Sequence, residues 1–500
     1  MKQVRQIFFV ILLIVSFCVV FLTAYPFWIK TLALTIYVSV IFSVCYVLML
    51  ENRSPYKTLL WMYAIIFFPV IGYMFFVYSG QLQVKGHLFE KKREENEEYL
   101  QGQLMQISST GLNNLSEEER FISELITNDA HFPISFTSDT QVLKNGSETF
   151  SAIKDGLKQA QSFIHMEYYT FRDDGIGEEI IEILIDKASK GVEVKVIYDD
   201  VGSLKMSNQA ISRMEESGVK TACFLPVKRG FFNQKINFRN HRKIIVVDGK
   251  TGFVGGLNIG DEYLGLDPNI GFWRDTHLLV KGEVIGSLHA IFLADWSYLT
   301  EEHLPLKSYG FAKDVKEPKG GVQVVASGPD ANRGIMGDLY FTMISSAKQS
   351  VWIATPYFVP NKDIRTALAM AAKKGVNVKL MVPEVSDGFL TQYGTRSYFD
   401  ELLDKGIDIH MYRKGFMHQK IMIVDGRYAS IGTANVDFRS LNLNFEVNLF
   451  LFRTESVKKL VHNYEQDLKD SMRVKSSPYR NRGFLVRSKE SFARLFSPVL

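Results

Sequence analysis

The chain has 500 residues, more than one hydrophobic core usually holds, so the sequence predicts two or more domains. Its 58 basic and 54 acidic residues leave a net charge of +4, which is too balanced to support a nucleic-acid partner. The isolated cysteines Cys18, Cys45 and Cys223 exclude a disulfide framework and a CxxC metal pattern, and they indicate a reducing compartment.

The first 80 residues contain three apolar runs, at about 7–23, 32–50 and 59–78. Each run is close to the ~20 residues that cross a bilayer as a helix. For the first run, which follows Lys2 and Arg5, the alternative is a cleaved signal peptide, although residues 24–29 offer no convincing cleavage site. For the other two runs the alternative is a buried helix of a soluble domain. Residues 1–80 are therefore predicted to be a transmembrane region of two or three helices, in a multi-pass protein of the cell membrane.

A charged linker is predicted at residues 81–130. The basic residues Lys85, Lys91, Lys92 and Arg93 follow the last apolar run, and such a cluster favours the cytoplasmic side of a membrane. The rest of the chain is therefore expected in the cytoplasm. Two spans would leave the N-terminus inside the cell, whereas three would place it outside.

The remainder of the chain is a duplication. Residues 190–196 (KGVEVKV) are repeated as 374–380 (KGVNVKL), and residues 241–258 (HRKIIVVDGKTGFVGGLN) are repeated as 418–435 (HQKIMIVDGRYASIGTAN). In the shorter pair, a helix is predicted to end near Gly and a buried strand to begin. Alternating apolar and helical segments predict an α/β fold, with homologous halves at 131–310 and 311–470.

Each long repeat carries the same polar residues at the same spacing, which makes them candidates for a site: His241, Lys243, Asp248 and Asn258 in the first copy, and His418, Lys420, Asp425 and Asn435 in the second. Alternation along a strand places the His and the Lys on one face, where both can reach one phosphate. One copy alone could be ordinary surface polarity, but two matching copies argue against it. A metal site is the rival interpretation, and the Lys beside each His opposes it.

These paired HxKxxxxD motifs resemble those of the phospholipase D superfamily. The resemblance implies that the two halves share one active site, without a metal or cofactor. One His would form a phosphohistidine while the other acts as general acid and then base, and we expect His241 and His418 in these respective roles. The Lys and Asn residues would neutralise the phosphoryl oxygens. Asp248 and Asp425 belong to the motif but are expected to brace the fold and not to touch substrate.

The same resemblance implies that a downstream carboxylate orients each His. Glu446 lies downstream of His418, and Asp275 is the best candidate in the first half. Both residues precede apolar runs, so they are expected at equivalent strand starts. The alternative is that they are surface carboxylates.

Other segments resemble the cardiolipin synthases of this superfamily, and they lie at 51–57, 68–72, 198–202, 240–243, 260–265, 272–277, 327–330, 355–360 and 495–500. The extra apolar run before residue 24 departs from that pattern. This resemblance implies transfer of a phosphatidyl group between two phosphatidylglycerol molecules, with release of glycerol and with membrane lipids as partners. A membrane-bound phospholipase D that transfers the group to water is the alternative. The sequence leaves the oligomeric state open.

Two segments fit a lipid surface. Residues 228–239 lead into His241 and mix cations with aromatic side chains. The tail, 471–500, carries seven basic residues against the single acid Glu490, together with several large apolar residues. This composition predicts an interfacial helix, and the alternative is a solvated basic tail.

Overall fold

The computed structural model describes residues 2–22, 24–50, 55–76, 88–104, 111–227, 237–310, 320–331 and 334–497. The chain forms two compact units: an N-terminal unit, Met1–His87 with Arg229–Gln234, and a main unit, Leu88–Lys228 with Lys235–Leu500. Lys85 and most of the basic aromatic segment before His241 lie outside the described residues, so the predictions that rest on them stay predictions.

The N-terminal unit contains the helices α1 (Lys2–Phe21), α2 (Phe27–Leu50), α3 (Pro55–Phe67) and α4 (Pro69–Phe75). Pro69 cannot donate a backbone hydrogen bond, and it separates α3 from α4. Buried residues from all of these segments, including Leu13, Val44, Ile65 and Tyr73, form a small core. Many other large apolar side chains of the unit are exposed.

Among the described residues, α2 is the one helix long and apolar enough to cross a membrane, and its 24 residues extend about 36 Å. Shorter apolar helices occur at Phe8–Phe21 and Thr58–Phe67. These properties fit membrane association. The predicted count of two or three spans stays a prediction.

The main unit contains the remaining helices. They are α5 (Glu90–Leu104), α6 (Glu117–Ala130), α7 (Asn145–Lys158), α8 (Gly175–Ser189), α9 (Asn208–Glu216), α10 (Val284–Thr300), α11 (Ile335–Ser346), α12 (Lys362–Lys373), α13 (Phe389–Arg396), α14 (Phe399–Leu403), α15 (Phe438–Asn442), α16 (Glu455–Lys469), α17 (Ser476–Arg480) and α18 (Phe484–Arg494).

The strands of the main unit also follow in chain order. They are β1 (Ser138–Lys144), β2 (Phe163–Tyr168), β3 (Glu193–Asp199), β4 (Lys220–Phe224), β5 (Ile244–Val247), β6 (Thr251–Gly255), β7 (Trp273–Arg274), β8 (Thr276–Gly282), β9 (Gly321–Ser327), β10 (Ser350–Ala354), β11 (Phe358–Val359), β12 (Asn377–Pro383), β13 (Asp408–Tyr412), β14 (Phe416–Met417), β15 (Ile421–Val424), β16 (Tyr428–Gly432), β17 (Val436–Asp437), β18 (Glu446–Phe452) and β19 (Ser471–Arg473).

Two large sheets have the same strand order. The first is β1-β8-β6-β5-β2-β3-β4, and the second, read in the matching direction, is β9-β18-β16-β15-β10-β12-β13-β19. In each sheet three parallel strands (β2-β3-β4 and β10-β12-β13) adjoin antiparallel strands that include the repeated motif. This equivalence confirms the predicted α/β fold with two homologous halves.

The shorter repeat folds as predicted. The helices α8 and α12 are followed by Gly191 and Gly375, whose φ angles of 86° and 87° lie in the left-handed region that favours glycine. The strands β3 and β12 begin directly afterwards and occupy equivalent positions in the two sheets. The glycines therefore end the helices and turn the chain into the sheet.

The tail begins with a strand that was not predicted and continues into a helix. Its first residues form β19, the edge strand of the second sheet, because β13 leaves an unpaired edge that only the folded sheet presents. Farther on, the Tyr479 hydroxyl donates to the carbonyl of Arg396 over 2.9 Å, and Arg482 forms an ion pair of 2.6 Å with Asp400. The described part of the tail is thus docked on the rest of the main unit, with most of its side chains exposed, and its role as an interfacial helix stays a prediction.

Candidate active site

The two halves meet where each HxK segment pairs with a segment of the other half. Strand β14, which precedes His418, runs parallel to β7, which precedes Asp275. The backbone N–H of His418 donates to the carbonyl of Arg274 over 2.8 Å, and the N–H of His241 donates to the carbonyl of Phe445 over 2.8 Å. Backbone pairing thereby places His418 next to Asp275, the residue after Arg274, and places His241 next to Glu446, the residue after Phe445.

Each His is held by a carboxylate of the other half. The Nδ1 atom of His241 lies 2.8 Å from Oε2 of Glu446, and Nδ1 of His418 lies 2.7 Å from Oδ2 of Asp275. The sequence suggested a carboxylate downstream within the same half, and that pairing is wrong because the parallel inter-half contacts exchange the partners. Asp275 and Glu446 do occupy equivalent positions at the starts of β8 and β18, as predicted, and both are buried.

The ring geometry determines which nitrogen is available. A carboxylate that accepts from Nδ1 fixes the tautomer and leaves Nε2 as the reactive nitrogen of each neutral ring. Among the described residues, no hydrogen bond to Nε2 of His241 or His418 is seen. The two side chains keep 13% and 8% of their surface exposed, so each ring retains an accessible edge.

Each motif lysine is hydrogen-bonded to the backbone of the histidine two residues before it. Lys243 Nζ donates to the carbonyl of His241 over 2.7 Å, and Lys420 Nζ donates to the carbonyl of His418 over 2.6 Å. The strands β5 and β15 begin just after these lysines and are wholly buried. The His and Lys residues therefore lie in an extended segment that enters the strand, and the apolar strand anchors them.

Burial and mutual repulsion make this a site for an anion. Burial, with a smaller contribution from Lys420, lowers the pKa of Lys243 to about 7, and burial lowers the pKa of Lys420 to about 8 although nearby carboxylates oppose it. Burial also lowers the pKa of His241 and of His418 to about 4, although their carboxylates act in the other direction. An anionic group would relieve the repulsion between these cations.

The carboxylates remain ionised. Burial alone raises the pKa of Asp275, but the neighbouring His418 and Lys420 outweigh it and hold that pKa below its ordinary value. The pKa of Glu446 is lowered in the same way, since His241 and Lys243 oppose the effect of burial. Because groups from both halves influence one another, they belong to a single site.

The two asparagines of the repeated motif are buried in different surroundings. Asn258 donates from Nδ2 to the hydroxyl of Tyr263 over 2.9 Å and accepts from the N–H of Thr170 over 3.2 Å. Asn435 donates from Nδ2 to Asp437 over 3.0 Å, and its Oδ1 is buried without a hydrogen-bond partner among the described residues. The contact of either amide with a phosphoryl group stays a prediction.

The motif aspartates brace loops. The Asp248 carboxylate accepts backbone N–H groups of residues 161–163 at 2.8 to 2.9 Å, and Asp425 accepts those of residues 348–350. These loops lead into β2 and β10. Both aspartates therefore act at the end of the strand opposite to the His, which agrees with the expected bracing role.

The sequence pattern alone did not single out several residues around the site. The Tyr169 ring lies 5.2 Å from the His241 ring, and the Trp273 ring lies 4.9 Å from that of His418. Arg242 forms a buried ion pair with Asp295, which also pairs with Lys92 at 2.7 Å. Lys92 is therefore not the surface cation assumed for the topology, and the only available signal was its place in a charged run.

A metal centre would require more ligands in one place. Among the described ranges, no group of three or more His, Cys, Asp or Glu side chains is arranged to hold a metal ion. Each His of the motif instead has one carboxylate and a nearby Lys.

Two equivalent α/β halves that jointly present paired His, Lys and carboxylate groups define the class of the phospholipase D-like proteins. The family described as cardiolipin synthase, PLD-like domain, matches residues 153–296 and 340–468. The chain therefore belongs to this family.

The chain is similar to several full-length relatives. It is 51% identical to the probable cardiolipin synthase YwiE of Bacillus subtilis (strain 168), over 93% of each chain. It is 47% identical to a cardiolipin synthase of Halalkalibacterium halodurans, over 91% of each chain. The fold is also similar to that of the phosphatidylserine synthase of Haemophilus influenzae, with a TM-score of 0.59 and 15% identity over 76% of this chain and all of the other.

Proposed function

We propose that this protein is a cardiolipin synthase that transfers a phosphatidyl group from one phosphatidylglycerol molecule to a second one and releases glycerol. The observation that carries this proposal is the single site in which His241 and His418 are each held by a carboxylate of the opposite half. Similarity to relatives named cardiolipin synthase over more than nine-tenths of their length supports the choice of substrate class.

In the first step, Nε2 of His241 attacks phosphorus of the donor lipid. A bond forms between nitrogen and phosphorus, and the bond from phosphorus to the oxygen of the headgroup glycerol breaks. His418 donates a proton to that oxygen, so glycerol leaves as a neutral alcohol. Glu446 stabilises the positive charge that develops on the His241 ring.

In the second step, the hydroxyl of another phosphatidylglycerol attacks the phosphohistidine. His418, now neutral, takes the hydroxyl proton as a general base, and the nitrogen–phosphorus bond breaks to restore His241. Asp275 holds the His418 ring for both proton transfers. One phosphodiester is consumed and one is made, so the exchange is reversible.

The electrostatics of the free site suit this sequence of events. A pKa of about 4 leaves His241 neutral and nucleophilic at pH 7. A bound phosphodiester brings negative charge next to His418, which raises the pKa of that ring and favours the protonated acid. The same charge holds Lys243 and Lys420 as ammonium ions, which stabilise the transition state together with the proposed amide donors Asn258 and Asn435.

We also propose the finer organisation of the chain: transmembrane helices within 1–80, halves at 131–310 and 311–470, and a basic amphipathic tail at 471–500. The charged segment 81–130, predicted as a linker, connects the first two parts and contributes α5 and α6 to the main unit. Strands β1 to β8 and β9 to β18 fall within the respective halves, which supports this division. Apolar helices other than α2 support a multi-pass arrangement. The main unit would then lie in the cytoplasm.

The test is product analysis with phosphatidylglycerol as the sole lipid substrate, followed by mass spectrometry. The proposal expects cardiolipin and glycerol in equal amounts, and it expects added glycerol to suppress cardiolipin formation and to convert cardiolipin back to phosphatidylglycerol. If phosphatidic acid is the main product and glycerol has no effect, the acceptor is water, and the protein is a membrane-bound phospholipase D. A His241→Ala variant controls for contaminating activity.

A further inference from the structure

The docked tail helix α18 has two distinct faces. Its inward face contains Val486, Glu490 and Ala493, and Glu490 and Ala493 are fully covered by the main unit. Lys489 lies over the ring of Tyr393 on α13, at 5.5 Å from the ring centre. The helix is therefore fixed in rotation about its own axis, and its opposite face must point away from the protein.

The outward face is apolar. Successive helical residues are rotated by about 100°, so the apolar residues of α18 and of the turn after it fall in one sector about 120° wide. The members of this apolar face are Phe484, Leu485, Phe492, Leu495 and Phe496. All five are exposed, and Phe484 retains 82% of its accessible surface. Soluble surfaces rarely expose so many large apolar side chains together.

Cations flank the apolar face on both sides. By the same rotation, Arg487 lies beyond one edge and Lys489 beyond the other, and both side chains are exposed. Arg494, on the Arg487 side, instead pairs with Glu401 at 3.5 Å and lies over the Tyr398 ring, so it helps to fix the helix on the protein. A helix with an apolar face between cationic edges is suited to the boundary between acyl chains and anionic headgroups. If a protein bound this face, Lys489 would lie in a protein–protein interface, and lysine is depleted in such interfaces.

We infer that α18 docks on the surface of an anionic phospholipid bilayer, with its apolar face inserted at the headgroup boundary. In specifying an anionic lipid the inference rests on the proposed function, since phosphatidylglycerol is the proposed substrate. The docked helix is part of the main unit, so it would hold that unit against the lipid surface in addition to the N-terminal helices.

The test uses the full-length enzyme in nanodiscs with an environment-sensitive fluorophore on a single cysteine. Cys18, Cys45 and Cys223 are replaced by Ala, and the probe is placed at Leu485 or at Leu495. We expect blue-shifted emission and quenching by spin-labelled lipid, both stronger with phosphatidylglycerol than with phosphatidylcholine alone and weaker at high salt. A probe at Met370, a half-exposed residue of α12, is the control and should stay unquenched.

Variants provide the second measurement. With the probe at Leu485, Leu495→Asp should weaken docking at least about tenfold, since burial of one leucine contributes roughly 1.5–3 kcal/mol and 1.4 kcal/mol is a factor of ten. Probes that remain water-exposed in bilayers rich in phosphatidylglycerol would overturn the inference. A shift without lipid quenching, accompanied by cross-linking between copies through the Leu485 position, would assign the face to a second copy instead. Because quenching is read without turnover, these outcomes are independent of the product analysis.

Discussion

Replacing Lys92 by Met is expected to destabilise the main unit and to slow turnover. Lys92 lies on α5, and its side chain is only 1% exposed. Its Nζ atom is 2.7 Å from Oδ1 of Asp295 on α10 and 2.6 Å from Oδ2 of Asp330, which follows β9. A single buried cation thus ties both halves together.

The magnitude follows from the charges that remain. Burial alone would lower the pKa of Lys92, but the two carboxylates outweigh it and raise that pKa, so the side chain is charged at neutral pH. After its removal Asp295 keeps its ion pair with Arg242. Among the described residues, Asp330 keeps the amide of Asn96 at 2.9 Å and a longer-range attraction to Arg242. Removing one partner of a buried ion pair costs about 3–5 kcal/mol, which for a unit of this size lowers Tm on the order of 5 °C.

The measurement is thermal unfolding and turnover in the same detergent, with Lys91→Met as the matched control, because the Lys91 side chain is 83% exposed. Turnover should fall with stability, since Arg242 joins Asp295 to the backbone carbonyl of Glu446. Adding Asp330→Asn to Lys92→Met removes the stranded charge and should restore part of the loss. The reasoning is refuted if Lys92→Met behaves like Lys91→Met, or if the double variant loses the sum of both single effects.

Further predictions concern the chemistry. His241→Ala and His418→Ala should each reduce turnover at least about 10²-fold. A variant that keeps half of the wild-type activity would contradict a shared site. An acid-labile phosphate on His241 of the wild-type protein would identify the nucleophile. Glu446→Gln and Asp275→Asn should each lower kcat by roughly 10²–10⁴-fold without loss of fold, as judged by Tm. A chelator should change the rate of turnover little. Full loss of activity that one specific metal restores would contradict the metal-free mechanism. In pH profiles, kcat/KM should fall below about 4, as His241 is protonated, and also above about 4, as His418 loses the proton that it donates. The fall should steepen above about 7, as Lys243 loses its proton, and an unchanged slope there would exclude the ammonium role.

The sequence by itself determined the α/β class, the duplication and the residue types of the site. The two repeats lie in one chain, so their matching His, Lys and Asp positions can be read from the sequence alone. The apolar runs after Lys243 and Lys420 predicted the buried strands β5 and β15, because a run of four apolar residues in a strand needs cover on both faces. The bracing role of Asp248, which was expected from the family resemblance, agrees with its hydrogen bonds to the loop before β2.

The tertiary structure alone decided which residues act together. The pairing of His241 with Glu446 and of His418 with Asp275 results from contacts between halves, and no spacing along the chain encodes those contacts. In the sequence, Lys92 is one of several cations in a charged run. In the folded protein, α5 buries it against two carboxylates from different halves. Local patterns report propensity and periodicity, whereas partner choice among charged groups depends on which surfaces the folded chain brings into contact and dehydrates.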